Sequence, residues 1–167
     1  MQPADPKLVT KLTSENVEDA NGHSALLTAD EPIMFFAYWY GHCHDAIEQL
    51  KSVGYASKLN FVSSQLQYGQ RNMNPDIKQA AQLTNASFTK RNIKEPSNMF
   101  FAMPGTPMSN ALAQQPVPFH LLHTKQGWYT MTGVPNNKDV WIQMLSYVTN
   151  RCFNSLFDFF SCRCSGF

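Results

Sequence analysis

The residues of this chain best suited to covalent or metal chemistry are its four cysteines, Cys43, Cys152, Cys162 and Cys164. A cysteine attacks or ligates as its thiolate, so its surroundings decide its use. Three of the four crowd the end of the chain, which is not the even spread of a disulfide-stapled domain. The spacing Cys162-Arg163-Cys164 is too tight for a zinc knuckle. These three read as free thiols on a terminal segment, or as thiols paired among themselves or between chains. Cys43 stands apart. It closes the run Trp39-Tyr40-Gly41-His42-Cys43 and is flanked by His42 and His44.

Local pattern shows what would position Cys43. Glu31-Pro32 is a boundary. Ile33-Met34-Phe35-Phe36-Ala37-Tyr38-Trp39 is a continuous apolar run, as expected of a strand buried on both faces. Gly41 breaks it. Cys43, Ala46, Ile47, Leu50 and Val53 then recur at helical spacing, with His44, Asp45, Glu48, Gln49 and Lys51 between them. Gly54 closes that helix. Tyr40 to Cys43 therefore sit at a strand-to-helix junction.

The flanking pattern is that of an α/β domain. Leu8-Val9 predict a short strand, and Thr13-Ser14-Glu15-Asn16 a helix start. Leu59-Asn60-Phe61-Val62-Ser63 predict the next strand. Asn74-Pro75-Asp76 predicts a helix with Asn74 as cap and Pro75 in the first turn. Its stripe is Ile77, Ala80, Ala81 and Thr84. Residues 90–115 show no clear period and predict a long loop or insertion. Phe119–His123 and Trp128–Thr132 flank a turn and predict a hairpin. A last helix, capped by Asn136 or Asn137, would carry Val140, Trp141, Met144, Leu145 and Val148 on one face. The expected organisation is one domain over residues 1–150 and a C-terminal tail over 151–167.

Composition excludes some partners. The chain has 167 residues, 43% hydrophobic, which suffices for a packed core. Charged residues are 15% and the formal net charge is +1, so no basic field exists to hold nucleic acid or an anionic membrane. No stretch is long enough to span a bilayer, and Met1 to Lys7 lacks the apolar core of a signal peptide. The expectation is a soluble protein, extracytoplasmic if a leader peptide has been removed and cytoplasmic otherwise. Oligomeric state is not legible. The sequon Asn85-Ala86-Ser87 is short enough to arise by chance.

The run Phe35-Phe36-Ala37-Tyr38-Trp39-Tyr40-Gly41-His42-Cys43 resembles the strand and active-site turn of thioredoxins, which read aromatic-x-Ala-x-Trp-Cys-x-x-Cys. Val117-Pro118, followed by a strand, a Lys-x-Gly turn and a second strand ending at Gly133, resembles the cis-proline hairpin of that family. Gly105-Thr106-Pro107 is a poorer match, because no strand is expected after it. The closing amphipathic helix is similar as well. The resemblance covers about residues 8–150, with 90–115 unmatched. It implies a three-layer α/β/α fold with a mixed central sheet and a cis-proline hairpin.

The resemblance also implies a chemistry that this chain lacks. In thioredoxins the first cysteine is activated at the helix N-terminus, and the second resolves the mixed disulfide. Tyr40 stands in the first position, and a phenol is no thiol nucleophile. The buried acid that the family keeps six residues earlier is here Met34. Cys43 then has two readings: an inert core thiol, or a lone reactive thiol. The Thr-x-x-Cys turn of peroxiredoxins is superficially similar to Tyr40-x-x-Cys43, but neither Arg71 nor Arg91 has a motif that places it beside the turn. The implied fold brings His120 towards His42 or His44, which with Cys43 suggests an N/S metal set. Adjacent helix residues diverge by about 100°, so they do not converge on one ion. No metal and no cofactor are expected.

Two functions follow from the resemblance. One is a binding module that takes a polypeptide or a thiol- or disulfide-bearing protein on Trp39, Tyr40, Gly41, His42, Val117 and Pro118. Trp39 and Tyr40 would be exposed there, with Tyr38 a surface residue. The other is a redox protein acting through Cys43 alone, by monothiol exchange or peroxide reduction.

Overall fold

The structure, a computed structural model, describes residues 1–27, 31–70 and 73–148. Its strands are β1 (Gln2–Pro3), β2 (Asn16–Glu18), β3 (Ser24–Leu26), β4 (Ile33–Phe36), β5 (Asn60–Ser63), β6 (Met99–Phe101), β7 (Phe119–Thr124) and β8 (Gly127–Thr132). Its helices are α1 (Pro6–Thr13), α2 (Gly41–Ser52), α3 (Ile77–Lys90), α4 (Pro107–Leu112) and α5 (Asp139–Ser146).

All strands join one mixed sheet in the order β1-β8-β7-β4-β5-β6-β2-β3. The parallel centre is β4-β5-β6, linked by α2 and α3. β7 returns antiparallel on the other side of β4 and turns into β8. All four residues of β4 are buried, as a strand covered by helices on both faces must be. Alternate side chains feed two apolar clusters. Met34 and Phe36 pack with residues of α2, α3 and α5. Ile33 and Phe35 pack with residues of α1 and α4. The result is the expected three-layer arrangement around a mixed sheet.

Several expectations need correction. Leu8 and Val9 lie in a helix, not a strand: Asp5 accepts a hydrogen bond from the Lys7 amide and Pro6 fits the first turn, so α1 nucleates there. Thr13-Ser14-Glu15-Asn16 ends that helix and leads into β2, with Ser14 as C-cap. The cap of α3 is Asp76, not Asn74, because Asp76 and Gln79 form a reciprocal capping box. Residues 90–115 are not a bare loop. They hold β6, which adds a third parallel strand, and α4, capped by Thr106. Pro107, the rejected cis-proline candidate, opens α4. In α5, Trp141, Met144 and Leu145 face the core, but Val140 is exposed. The Asn137 carboxamide oxygen accepts from the Asp139 amide at the start of α5.

Candidate functional site

β4 delivers the chain to a tight turn and α2 carries it away. Tyr40 N donates to Ala37 O at 3.1 Å, and Cys43 N donates to Tyr40 O at 3.0 Å. Tyr40 is the N-cap of α2, with no side-chain cap of its own. The turn leaves two rings outside: Trp39 is 40% exposed and Tyr40 37%. Their centroids lie 5.9 Å apart, and Tyr40 meets the His42 ring at 5.2 Å. Trp39 is anchored by Nε1 donating to Gln65 O at 3.2 Å.

Across from these rings stands the start of β7. The Val117–Pro118 peptide bond is cis. Gly133 N donates to Pro118 O at 2.8 Å, tying the end of β8 to the same corner. Tyr40, His42, Val117, Pro118, Gly133 and Val134 line a hollow of about 240 Å³. The structure thus brings together Tyr40, His42, Val117 and Pro118, with Trp39 beside Tyr40. Gly133, read from sequence as the end of the hairpin, and Val134, which drew no reading, join them as wall residues.

Cys43 lies beneath this surface. It is fully buried, and its Sγ accepts a hydrogen bond from Ala37 N at 3.4 Å. Burial pushes the thiol up to about 12, the Asp45 carboxylate adds to the rise, and the Ala37 amide offsets only part of it. Such a thiol is neither ionised nor accessible at neutral pH.

The neighbouring histidines diverge. His42 turns to solvent, with Nδ1 3.5 Å from Asp45 Oδ2. His44, expected on the polar side of the helix, is buried. Its Nε2 lies 3.2 Å from Ser87 Oγ, whose hydroxyl donates to Tyr38 O at 2.5 Å. Ser87 has one proton to give, so His44 Nε2 must be the donor to Ser87 Oγ. Burial lowers the His44 pKa, and the positive charge of Arg91 lowers it further. His120 also lies in the core, against Trp141 at 4.9 Å. Tyr38, expected at the surface, is buried.

Arg91 is the residue that local sequence could not place. It caps the far end of α3, yet its guanidinium covers Gly41. A Cβ at Gly41 would lie 2.6 Å from Arg91 Nη2, so any larger residue there would push the guanidinium off the turn. Arg91 Nη1 also stands 3.7 Å from Asp45 Oδ1. An arginine therefore does flank the turn, although no sequence motif places it there. Its charge acts on His44. Arg71, Cys152, Cys162 and Cys164 lie outside the described residues. The sequon falls within α3, where the Ser87 hydroxyl is already engaged.

No protein-family model matches the sequence, and no curated protein matches it. Solved structures do. An uncharacterised thioredoxin-like protein from Porphyromonas gingivalis has a TM-score of 0.51 at 15% identity, covering 82% of this chain and 90% of that one. A structure assigned as thiol:disulfide interchange protein DsbE from Chlorobium tepidum also reaches 0.51 at 15% identity, over 78% of this chain and 89% of that one. A thioredoxin-like protein from Aeropyrum pernix reaches 0.51 at 8% identity, over 85% and 94%. Identities this low speak for architecture, not activity. With its order of elements, its turn at the head of α2 and these neighbours, the chain has the thioredoxin-like fold.

Proposed function

We propose that this domain binds an extended polypeptide in the groove between Tyr40 and Pro118 and carries out no dithiol exchange. One observation supports this above all: the exposed face of the turn is aromatic, while its only cysteine is buried under it. Trp39 and Tyr40 are rigid rings with one apolar side and one wet end, the residue types that anchor interfaces. The corner at Pro118 offers backbone beside them, suited to an extended segment. The partner is a polypeptide, with or without a thiol or disulfide. Among the described residues, no helix is long and apolar enough to cross a membrane.

The test is a peptide array probed with the full chain and with Tyr40→Ala and Val134→Asp. The expected result is a set of bound peptides that both substitutions abolish while the circular dichroism spectrum is unchanged. Peptides bound equally by all three proteins would refute the groove. Catalysed disulfide reduction by the native chain would refute the loss of exchange.

A further inference from the structure

His120 is a buried base that the groove does not use. It is 1% exposed, and neither ring nitrogen has a hydrogen-bond partner. Buried imidazoles are ordinarily well satisfied, so a ring with only the Gly133 backbone near it calls for an account. In register, β4 presents Met34 to it and β8 presents Met131. From above, α5 lays Trp141 across it in an edge-on contact. Trp141 Nε1 in turn donates to Gln49 Oε1 of α2 at 2.8 Å.

No charge steadies this site. The ionisable groups on the surrounding elements are elsewhere: Asp139 of α5 and Asp45 and Glu48 of α2 are exposed, and Lys51 and Tyr129 are half-buried. His44 is engaged with Ser87, and Cys43 with the Ala37 amide. Burial is what lowers the His120 pKa, to about 3, with the Gly133 backbone offsetting a small part. An imidazolium here would have no counter-ion and only the Gly133 backbone to turn to, which is among the costliest states a core can hold. The structure can escape it only by letting water in. The sheet side is central and fully paired. The helix side is α5, a short helix whose core face is Trp141, Met144 and Leu145.

We propose that His120 is an acid-operated release for α5: its protonation lifts Trp141 off the sheet and opens the core beside the Gly133–Val134 wall. This release does not depend on what the groove binds. A single proton taken up on opening makes the opening equilibrium rise tenfold per pH unit below the ordinary histidine range.

The experiment is amide hydrogen exchange on the full chain between pH 6.5 and 4, corrected for intrinsic rates. The expected result is that protection of the Met144 and Leu145 amides falls tenfold per pH unit and stays at least tenfold below that of Phe35 and Phe36 of β4 throughout. In His120→Leu the α5 amides should lose that tenfold slope. An equal slope in wild type and variant would overturn the proposal. So would equal protection at α5 and β4 at every pH, which marks global unfolding. Should His120→Leu not fold, the His120 ring is followed by NMR in the wild type. Titration near pH 6.5 with α5 still protected would overturn the proposal equally.

Discussion

Cys43 is where the two functional readings part, and its reactivity has a calculable size. The thiol is moved by burial from an ordinary value near 9 to about 12. At pH 7.5, well below both, each unit removes a factor of ten in thiolate, so Cys43 holds about a thousandth of the thiolate of a free cysteine. Its Sγ is also inaccessible, because the residue is fully buried. Alkylation must then pass through an opened state. If that opening costs as much as unfolding a small domain, about 5 kcal/mol or more, exposure alone slows labelling by at least roughly three orders of magnitude. The perturbation is iodoacetamide at pH 7.5, with and without denaturing guanidinium. Proteolysis and mass spectrometry would follow the Cys43 peptide separately from those bearing Cys152, Cys162 and Cys164. The expected outcome is native labelling of Cys43 at least a thousandfold slower than denatured labelling. The rate should keep climbing tenfold per pH unit past pH 9, without a plateau. Native labelling within tenfold of the denatured rate would refute the buried-thiol argument and revive single-thiol chemistry.

Three other substitutions test the scaffold beneath the groove. At Gly69 a Cβ would lie within 2.5 Å of Trp39 Cδ1 and Tyr38 Cζ; the Tyr38 ring is buried and Trp39 is tied to Gln65 O, so neither yields freely. Gly69→Ala should therefore cost about 1–3 kcal/mol in urea unfolding and shift the Trp39 fluorescence. Ser87→Ala removes the hydroxyl that joins Tyr38 O to His44 Nε2, and leaves that nitrogen without a partner. A loss of about 1–2 kcal/mol is expected by the same measurement, and an unchanged midpoint would show that the bridge contributes nothing. Asp76→Ala breaks the capping box of α3 and should cost about 1 kcal/mol, read as a lower thermal midpoint. A larger loss there would mean that Asp76 has a role beyond the cap.

What could be read without the structure was whatever neighbouring residues decide among themselves. The strand read over Ile33–Trp39, the helix read from Cys43, the hairpin around Lys125 and the closing helix carry their periods or turn signals locally, and all four are present, the strand ending at Phe36 and the helix starting at Gly41. So was the identity of the turn: Tyr40 for a cysteine and Met34 for an acid are facts of residue type. β6 was hidden because three residues are too few to show a period. Met99–Phe101 becomes a strand by pairing with β5, residues distant in sequence. The start of α3 was misplaced because two capping candidates stood side by side, and only reciprocal geometry chooses between them.

The site depended more heavily on packing. The helical pattern put His44 on a polar side, but Phe88 and Ser87 of α3 cover it, so it is core. Arg91 reaches Gly41 because α3 ends beside the start of α2, a juxtaposition that no spacing encodes. Sequence alone determined that this turn has one cysteine and two large rings. Tertiary structure alone decided that the thiol faces inward and the rings outward. Burial of a thiol is set by the neighbours that exclude water from it, and those neighbours come from strands and helices far apart in the chain.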